Sequence, residues 1–379
     1  MTSKIVMLRL RSGRCWLWKA AVILSAAFIL AGCASHSPII REQTQPTLTT
    51  LASVLPNPTP TSTEIASSPP AEKTTEPPGS TTVPVTSPPI LTRTAPALRG
   101  DLLTQLCWSA YSPTHFDPTQ RPIRYPNEDD VRQDLQVLHN AGFTGLVTYS
   151  ANYEISGLPG QMIDIPKLAQ EAGFDGMIMG VWDPTNALEM KAAEMAGQSP
   201  IIIGYSVGNE GLDERYDLKT LVIAMEALRF ATNKPVTTTE QVGDYYRSSP
   251  LWKISDWIFP NAHPYFSNIR DPQEAVAWTE KYFENFSGFS DKIVLFKEVG
   301  LPSGGDVGLS EYNQANYYQL LRKTAVDYVV FEAFDAPWKH LGLPDANGNY
   351  PWPDPEPHWG IFTSMRTAKP AASGICSNR

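Results

Sequence analysis

Cysteine is scarce in this sequence, with only 4 among 379 residues. No two cysteines are separated by two residues, and the pattern HExxH is absent. Because such closely spaced ligands are typical of zinc sites, we expect neither a structural nor a catalytic metal. A glycine-rich phosphate-binding loop is also missing after the first predicted strand, which argues against an open doubly wound sheet. We expect no cofactor.

Positive charge is also in short supply. Lys and Arg number 30 against 39 Asp and Glu, which gives a formal net charge of -9. Five of the basic residues lie within the first nineteen positions, so the remainder of the chain is more acidic still. A protein of this charge is a poor partner for nucleic acid or for anionic lipid, and we expect it to bind neither.

The N-terminal segment has the pattern of an export signal. An apolar run from Ala20 to Ala31 follows the basic residues and is too short to span a bilayer comfortably. It ends in "LAGC", Leu30 to Cys33, which resembles a bacterial lipobox whose cysteine receives lipid. We therefore predict a lipoprotein signal over residues 1–33 and a membrane anchor at Cys33. An ordinary cleaved signal and an uncleaved anchor are the alternatives, and all three predict an extracytoplasmic location.

Residues 34–98 are rich in Pro, Thr and Ser, as in "PNPTPTSTEIASSPP". Such a segment has too little apolar surface to offset the entropy of folding, so we predict a disordered linker. The folded domain is expected over residues 99–379, as a monomer. It retains Cys107 and Cys376, for which a disulfide bridge and a buried free thiol at Cys107 both remain open.

The domain alternates between apolar runs of strand length and segments with helical periodicity. This alternation predicts parallel strands, and eight such units close into a (β/α)8 TIM barrel, with an open doubly wound sheet as the alternative. The predicted strands are 102–111, 145–150, 176–182, 201–210, 235–240, 257–265, 293–300 and 328–335. The predicted helices are 128–142, 162–173, 184–197, 218–232, a short one near 250–255, 272–286 and 310–325.

Two carboxylates end strands that lie across the barrel from each other. Glu210 ends the fourth predicted strand, "IIIGYSVGNE", and Glu298 lies near the end of the seventh, "IVLFKEVG". The C-terminal ends of barrel strands form the active face, so these two side chains should face each other across a groove. Opposed carboxylates of this kind are the catalytic groups of glycoside hydrolysis. The sequence therefore predicts a glycosidase.

Aromatic residues are placed at or just beyond the strand ends, where flat rings can stack on sugars. For any one of them, packing beneath a loop is the competing role. They are Trp108, Tyr111, Tyr149, Trp182, Tyr265, Phe334, Trp338 and Trp359.

Four motifs resemble glycoside hydrolase family 17, the retaining β-1,3-glucan enzymes built on a (β/α)8 barrel. They are "VGNE" (207–210), "NAHPYF" (261–266), "KEVGLPSGG" (297–305) and "FEAFDAPWK…EPHWGIF" (331–362). The resemblance implies that Glu210 is the acid/base and that Glu298 is the nucleophile of a glycosyl-enzyme intermediate. It also implies that Asn209 binds the sugar 2-hydroxyl.

The resemblance further implies a substrate cleft lined by Asn261 and Tyr265 and supported by a charged cluster of Glu332, Lys339 and Glu356. Tyr149, Trp182 and Trp338 are expected to contact substrate as well. Leu301 and Val299 depart from the family, which usually has Trp and Thr there. His263 stands where the family often has Tyr, and it predicts a steeper dependence of activity on pH.

Three functions compete. The first is a β-1,3-glucan enzyme, in which hydrolysis and transglycosylation differ only in whether water or a sugar hydroxyl intercepts the intermediate. The second is a retaining glycosidase that acts on a β-1,4- or β-1,6-linked polymer. The third is a non-catalytic glucan-binding module displayed at the surface. We favour the first, with hydrolysis ahead of transfer.

Overall fold

The computed structural model describes residues 97–377, and these form one barrel domain. The predicted signal, the lipidation site at Cys33 and most of the predicted linker lie outside the described residues. Eight parallel strands form the central sheet, in the order β7-β6-β5-β2-β1-β10-β9-β8. The TIM-barrel prediction is confirmed. These strands are β1 Trp108–Tyr111, β2 Gly145–Thr148, β5 Gly176–Val181, β6 Ile202–Val207, β7 Val236–Thr237, β8 Asn261–Ala262, β9 Phe296–Val299 and β10 Tyr328–Val330.

The two ends of the sheet meet through the segment after β7. Gln241 forms an isolated parallel bridge with Asn261, and the Asn261 N–H donates to the Glu240 carbonyl at 3.0 Å. The first and last strands of the sheet are thereby joined, and the C-terminal ends of all eight strands surround one opening. A separate antiparallel hairpin, β3 Glu154–Ile155 and β4 Leu158–Met162, follows β2.

Helices cover the outside of the barrel. The longer ones begin after Asn, Asp or Ser residues whose side chains accept backbone N–H groups of the first turn, as at Asn127 and Ser310. Their bounds lie within a few residues of the predicted ones. They are α1 Gly100–Gln105, α2 Glu128–Asn140, α3 Ile165–Ala172, α4 Ala187–Ala196, α5 Leu218–Thr232, α6 Val242–Arg247, α7 Ser249–Ile254, α8 Pro272–Phe289 and α9 Glu311–Leu321.

The first predicted strand is too long. Residues 102–105 belong to α1, and β1 begins only at Trp108. Leu103 is buried while residues 101, 104 and 105 are exposed or half-exposed, a one-sided burial that suits a helical turn rather than a barrel strand. The Leu103 carbonyl also accepts the indole N–H of Trp108 at 3.0 Å, which ties this turn to the base of the barrel.

Cys107 and Cys376 form a disulfide with a Cα–Cα distance of 5.6 Å. The bridge joins the residue before β1 to the C-terminal segment across a sequence separation of 269. The free-thiol alternative for Cys107 is therefore wrong. Among residues 97–377, no helix is both long enough and apolar enough to cross a membrane.

Candidate active site

A cavity of about 730 Å³ opens at the C-terminal ends of the strands. Its floor carries both predicted carboxylates, and aromatic rings line its sides. Among the lining residues are Phe116, Tyr149, Tyr153, Trp182, Asn209, Glu210, Arg215, Gln241, His263, Glu298, Trp338, Lys339, Glu356 and Trp359.

Glu210 lies just beyond β6 and is almost fully buried, at 6% exposure. Asn261 Nδ2 donates to Glu210 Oε1 at 2.8 Å, and Gln241 Nε2 donates to Glu210 Oε2 at 3.3 Å. Both donors come from the next strands around the barrel. They fix the direction of the carboxylate while it remains at the cavity surface.

The backbone turns sharply to bring Glu210 to this place. Gly208 has a φ of 78°, and Glu210 itself has a φ of 50°, in the left-handed region that residues with a Cβ seldom adopt. The Glu240 carboxylate accepts the backbone N–H groups of Gly211 at 3.1 Å and Leu212 at 3.0 Å. These bonds stabilise the turn at the point where the Glu210 side chain leaves the backbone.

Glu298 lies in β9 and is 4% exposed. Its Oε2 is 3.2 Å from His263 Nε2, and its Oε1 is 3.8 Å from Lys297 Nζ. Burial by itself would raise the pKa of Glu298, but the contact with His263 and the charges of Lys297 and Lys339 outweigh it, so the net pKa lies below its usual value. Glu298 is thus held as an anion, which is the state a nucleophile needs.

The two carboxylates are close together. One oxygen of Glu210, one of Glu298 and a ring nitrogen of His263 all lie within 4.8 Å of one another. Carboxyl groups about 5–5.5 Å apart are found in retaining glycosidases, whereas inverting enzymes need about 6.5–9.5 Å to admit a water molecule. The arrangement suits direct attack by one carboxylate and proton donation by the other.

The same three side chains are the described residues that come close enough to share a metal ion. Glu210 and Glu298 form the pair of carboxylates, and His263 contacts Glu298. The displacement that such a pair performs requires no metal. The expectation that the protein uses no metal therefore stays a prediction.

The predicted charged cluster lies beside Glu298. Lys339 Nζ donates to both oxygens of Glu332 at 2.7 Å. Burial raises the pKa of Glu332, although Lys339 opposes that rise. Burial likewise raises the pKa of Glu356 to about 7, against the opposing charges of Lys339 and His263. The cluster therefore holds a proton that Glu356 releases near neutral pH.

The remaining predicted residues fall into two groups. Tyr149, Trp182 and Trp338 line the cavity, together with Asn209, His263, Lys339 and Glu356. Asn261, Tyr265 and Glu332 are not among the lining residues. Asn261 instead binds Glu210, and the Tyr265 hydroxyl donates to Asp306 at 2.9 Å. Three of the aromatic residues at strand ends, Trp108, Tyr111 and Phe334, pack in the core.

Several functional residues were missed from sequence. Arg215 stacks on the Trp182 ring at 4.1 Å. Glu189 accepts the backbone N–H groups of Trp182 and Asp183, which holds that loop in place. Lys297 lies in the apolar run "IVLFKEVG", and a charged residue inside a barrel strand was the available signal. For Arg215 and Glu189 the sequence offered no comparable signal, since both lie in segments where charged residues are ordinary.

A (β/α)8 barrel with paired carboxylates at the floor of its C-terminal cavity defines the class of barrel glycosidases. Residues 109–360 match the model of the BtgE/BtgC glycoside hydrolase domain. This match covers more than half of the chain. The chain therefore belongs to the BtgE/BtgC glycoside hydrolase family.

Curated relatives come from fungi. A probable glucan endo-1,3-β-glucosidase, BtgC, of Aspergillus clavatus is 29% identical over 232 residues, and the match covers 50% of this chain and 32% of the relative. The corresponding protein of Aspergillus terreus is 26% identical over 295 residues, 66% of this chain and 43% of the relative. This chain thus spans less than half the length of these relatives.

Solved structures share the fold. A β-1,3-glucanosyltransferase of Rhizomucor miehei, crystallised as an active-site mutant with laminaritriose, superposes with a TM-score of 0.56 at 20% identity over 70% of this chain and 96% of its own. An endo-laminarinase from Formosa Hel1_33_131 gives a TM-score of 0.52 at 17% identity over 69% of this chain and 84% of its own.

Proposed function

We propose that this protein is a retaining glycoside hydrolase that acts on β-1,3-glucan through a glycosyl-enzyme intermediate. The observation that carries the proposal is the carboxylate pair, with oxygens of Glu210 and Glu298 within 4.8 Å of each other on the floor of the cavity. Membership of a glycoside hydrolase family supports the reaction class. The names of the curated relatives support β-1,3-glucan as the substrate.

In the first step, Glu298 attacks the anomeric carbon and a new bond forms between this carbon and the carboxylate oxygen. The bond from the anomeric carbon to the leaving oxygen breaks, and Glu210 gives its proton to that oxygen. In the second step, Glu210 takes a proton from the incoming hydroxyl, which releases the sugar from Glu298. Water as the acceptor completes hydrolysis, whereas a sugar hydroxyl produces a longer chain.

The aromatic walls suit a chain of sugar rings. Trp182, Trp338 and Phe116 all line the cavity, and the rings of Trp338 and Phe116 are 6.2 Å apart in edge-to-face contact. Flat rings at the rim can stack on pyranose faces while the polar floor binds hydroxyl groups. This arrangement supports a polymeric or oligomeric substrate over a small free sugar.

The test compares the full-length protein with Glu298→Gln and with Glu284→Gln, whose carboxylate lies on the exposed side of α8. Each is incubated with a linear β-1,3-glucan, and products are sized by mass spectrometry. We expect new oligosaccharides from the unmodified protein and from Glu284→Gln, and a loss of at least about 1,000-fold in Glu298→Gln. Proton NMR of the first product should find the β anomer.

The same assay tests the alternatives. Products longer than the substrate would assign transglycosylation, which the named activity of the Rhizomucor relative makes worth measuring. Turnover of β-1,4- or β-1,6-linked glucan alone would contradict the proposed linkage. Binding without turnover by the unmodified protein would instead assign a glucan-binding module.

We also propose kinship with glycoside hydrolase family 17. Four sequence motifs support it, and so does the fold shared with the Rhizomucor miehei enzyme, which is named as a family 17 protein. The described barrel contributes every group of the carboxylate pair from one chain, which supports a monomer. Sedimentation of the full-length protein tests the monomer, and a dimer at working concentrations would contradict it.

We further propose that the chain is exported and held at a membrane by lipid on Cys33. The "LAGC" sequence supports the anchor. The Cys107–Cys376 disulfide supports an oxidising compartment outside the cytoplasm. Cells fed a labelled fatty acid should incorporate label into the native protein and not into Cys33→Ser. Equal labelling of the two proteins, or none in either, would contradict the anchor.

A further inference from the structure

Lys297 is a buried lysine that the proposed reaction does not use. It directly precedes Glu298 in β9 and is 1% exposed. Its Nζ donates to Asn209 Oδ1 at 2.5 Å, which joins β9 to the end of β6 across the barrel. The ammonium also lies 4.7 Å from the centre of the Tyr149 ring. The ammonium of Lys297, in β9, thus contacts residues that follow two other strands, β6 and β2.

An ammonium group has three donors and no acceptor, so only the oxygen of the Asn209 amide can face it. The amide NH2 group must then point away from Lys297. Asn209 lines the cavity beside Glu210, and its main-chain carbonyl is held separately by Arg215 Nη2 at 2.5 Å. The lysine thus decides which end of the amide a substrate hydroxyl meets.

Lys297 differs from Lys339, the buried lysine that lines the cavity. Lys339 Nζ contacts both oxygens of Glu332 at 2.7 Å, as expected of a counter-ion. Lys297 Nζ lies 3.8 Å from Glu298 Oε1, beyond hydrogen-bond distance, while its short contact is to a neutral amide. Charge neutralisation alone would draw the ammonium onto a carboxylate.

We propose that Lys297 is a positioning residue of the active site, which fixes the Asn209 amide so that its NH2 group donates to the 2-hydroxyl of the bound sugar. This proposal rests on the proposed glycosidase function for the identity of the hydroxyl. Hydrogen bonds to the 2-hydroxyl strengthen in the transition state of glycoside hydrolysis. A hydroxyl can donate as well as accept, so an amide held in the other orientation would reverse the direction of this bond and require the 2-hydroxyl to donate to Asn209.

The charges around Lys297 make this device sensitive to pH. Burial lowers the pKa of Lys297 to about 8, opposed by the negative charges of Glu298, Glu210 and Glu240 and reinforced by Arg215. The nearby cations His263 and Lys339 both lower the pKa of Glu298, and Lys339 also pairs with Glu332. Above that pH the neutral amine can accept a hydrogen bond as well as donate one, so the orientation of the amide is no longer fixed.

The first experiment compares Lys297→Met with Lys234→Met in the full-length protein. Lys234 is half-buried at the other end of β6, where its Nζ donates to the Ile202 carbonyl at 2.6 Å. The substrates are an aryl β-laminaribioside and its analogue without the 2-hydroxyl on the transferred sugar. We expect Lys297→Met to lower kcat about 100-fold on the first substrate and less than about 10-fold on the analogue, with little change in KM. Lys234→Met should have the same kcat and KM as the unmodified protein on both substrates.

Equal losses on the two substrates would overturn the proposal, because Lys297 would then not act through the 2-hydroxyl. If Lys297→Met does not fold, the unmodified protein suffices. Its alkaline loss of activity near pH 8 should be strong on the hydroxylated substrate and weak on the analogue, and identical alkaline limbs would overturn the proposal.

A readout without substrate separates this proposal from the proposed function. NMR of the full-length protein labelled at asparagine side-chain nitrogen, with the signal assigned by its loss in Asn209→Ala, should follow the Asn209 amide through a titration near pH 8. An amide signal that does not change over this range overturns the role of Lys297. Absence of all turnover by the unmodified protein, with the amide titrating as expected, would overturn only the assigned reaction.

Discussion

The cavity is lined by a few buried charged side chains whose environments pull their pKa values apart. Glu298 is held as an anion by His263 and by Lys297 and Lys339, whereas burial keeps Glu356 protonated until about pH 7. The pKa of His263 is raised, because the contact with Glu298 outweighs the effect of burial. Each of these side chains therefore has a titration that an experiment can follow.

His263→Phe should move the acidic limb of activity to higher pH. Without the imidazolium, Glu298 loses the contact that lowers its pKa most, and burial then raises that pKa. A higher pH is therefore needed to ionise the carboxyl group of Glu298. The measurement is kcat/KM against pH, with His115→Gln outside the cavity as control. An unmoved acidic limb would show that His263 does not set the ionisation of Glu298.

Glu356→Gln should become progressively more stable than the unmodified protein as pH rises from about 4.5 to about 7. The pKa of Glu356 is raised from 4.5 to about 7 in the folded state, so the folded protein retains a proton that the unfolded chain has lost. The contribution of Glu356 to the free energy of unfolding therefore falls across this window, by about 3 kcal/mol at 1.36 kcal/mol per unit.

Urea unfolding of Glu356→Gln, Glu284→Gln and the unmodified protein at both ends of the window measures the difference. Of the two variants, only Glu356→Gln should lack the part of the decrease in unfolding free energy that comes from Glu356. A constant difference between Glu356→Gln and the unmodified protein at all pH values would contradict the shifted pKa.

At the scale of elements, the site depends on how strand ends are turned and packed. The turn after β6 directs Glu210 into the cavity, and Glu240, from the segment after β7, binds its backbone N–H groups. The end of β9 packs so closely on the segment after β10 that a side chain at position 300 has no room. These contacts place the two carboxylates, and hydrophobic periodicity in the sequence does not reveal the contacts.

Glu240→Ala should lower kcat about 100-fold while the barrel remains folded. The variant removes the acceptor for Gly211 and Leu212, so the left-handed conformation of Glu210 loses its support, and a displacement of about 1 Å is enough for such a loss. Steady-state kinetics and circular dichroism test the prediction, with Glu226→Ala on the exposed face of α5 as control. Unchanged kcat in Glu240→Ala would contradict the supporting role.

Gly300→Ala and Gly288→Ala should change stability in opposite directions. A Cβ at Gly300 would lie 2.2 Å from the Phe331 carbonyl oxygen, so the strand ends must separate at a cost of about 1–3 kcal/mol or more. A Cβ at Gly288, inside α8, meets no atom within 4 Å. Alanine there should stabilise the helix by roughly 0.5–1 kcal/mol. Thermal unfolding of both variants measures the contrast, and equal effects would contradict it.

At the scale of the whole molecule, the barrel is closed twice. The Gln241–Asn261 bridge joins the ends of the sheet, and the Cys107–Cys376 disulfide joins the start of β1 to the C-terminal segment. The disulfide lies near β1 and away from the cavity-lining residues. We therefore expect it to act on stability and not on the reaction.

The variant with both Cys107→Ser and Cys376→Ser should have a free energy of unfolding lower by about 2–5 kcal/mol. The bridge closes a very long loop and thereby restricts the conformations of the unfolded chain. Its kcat at 25 °C should equal that of the unmodified protein within about twofold, since no cavity-lining residue changes. Denaturant unfolding and steady-state kinetics provide the two measurements. A lower kcat in a fully folded variant would tie the bridge to the cavity.

The sequence by itself determined the alternation of strands and helices, the barrel class and the two carboxylates at strand ends, because period, caps and burial preference are local properties. The tertiary structure decided which polar residues share the cavity. Tyr265 binds Asp306 and Glu332 binds Lys339, although both end strands, whereas Arg215 and Glu189 act at the site from positions that local patterns do not single out. Contacts across a barrel join residues far apart in the chain, and only the closed sheet sets their distances.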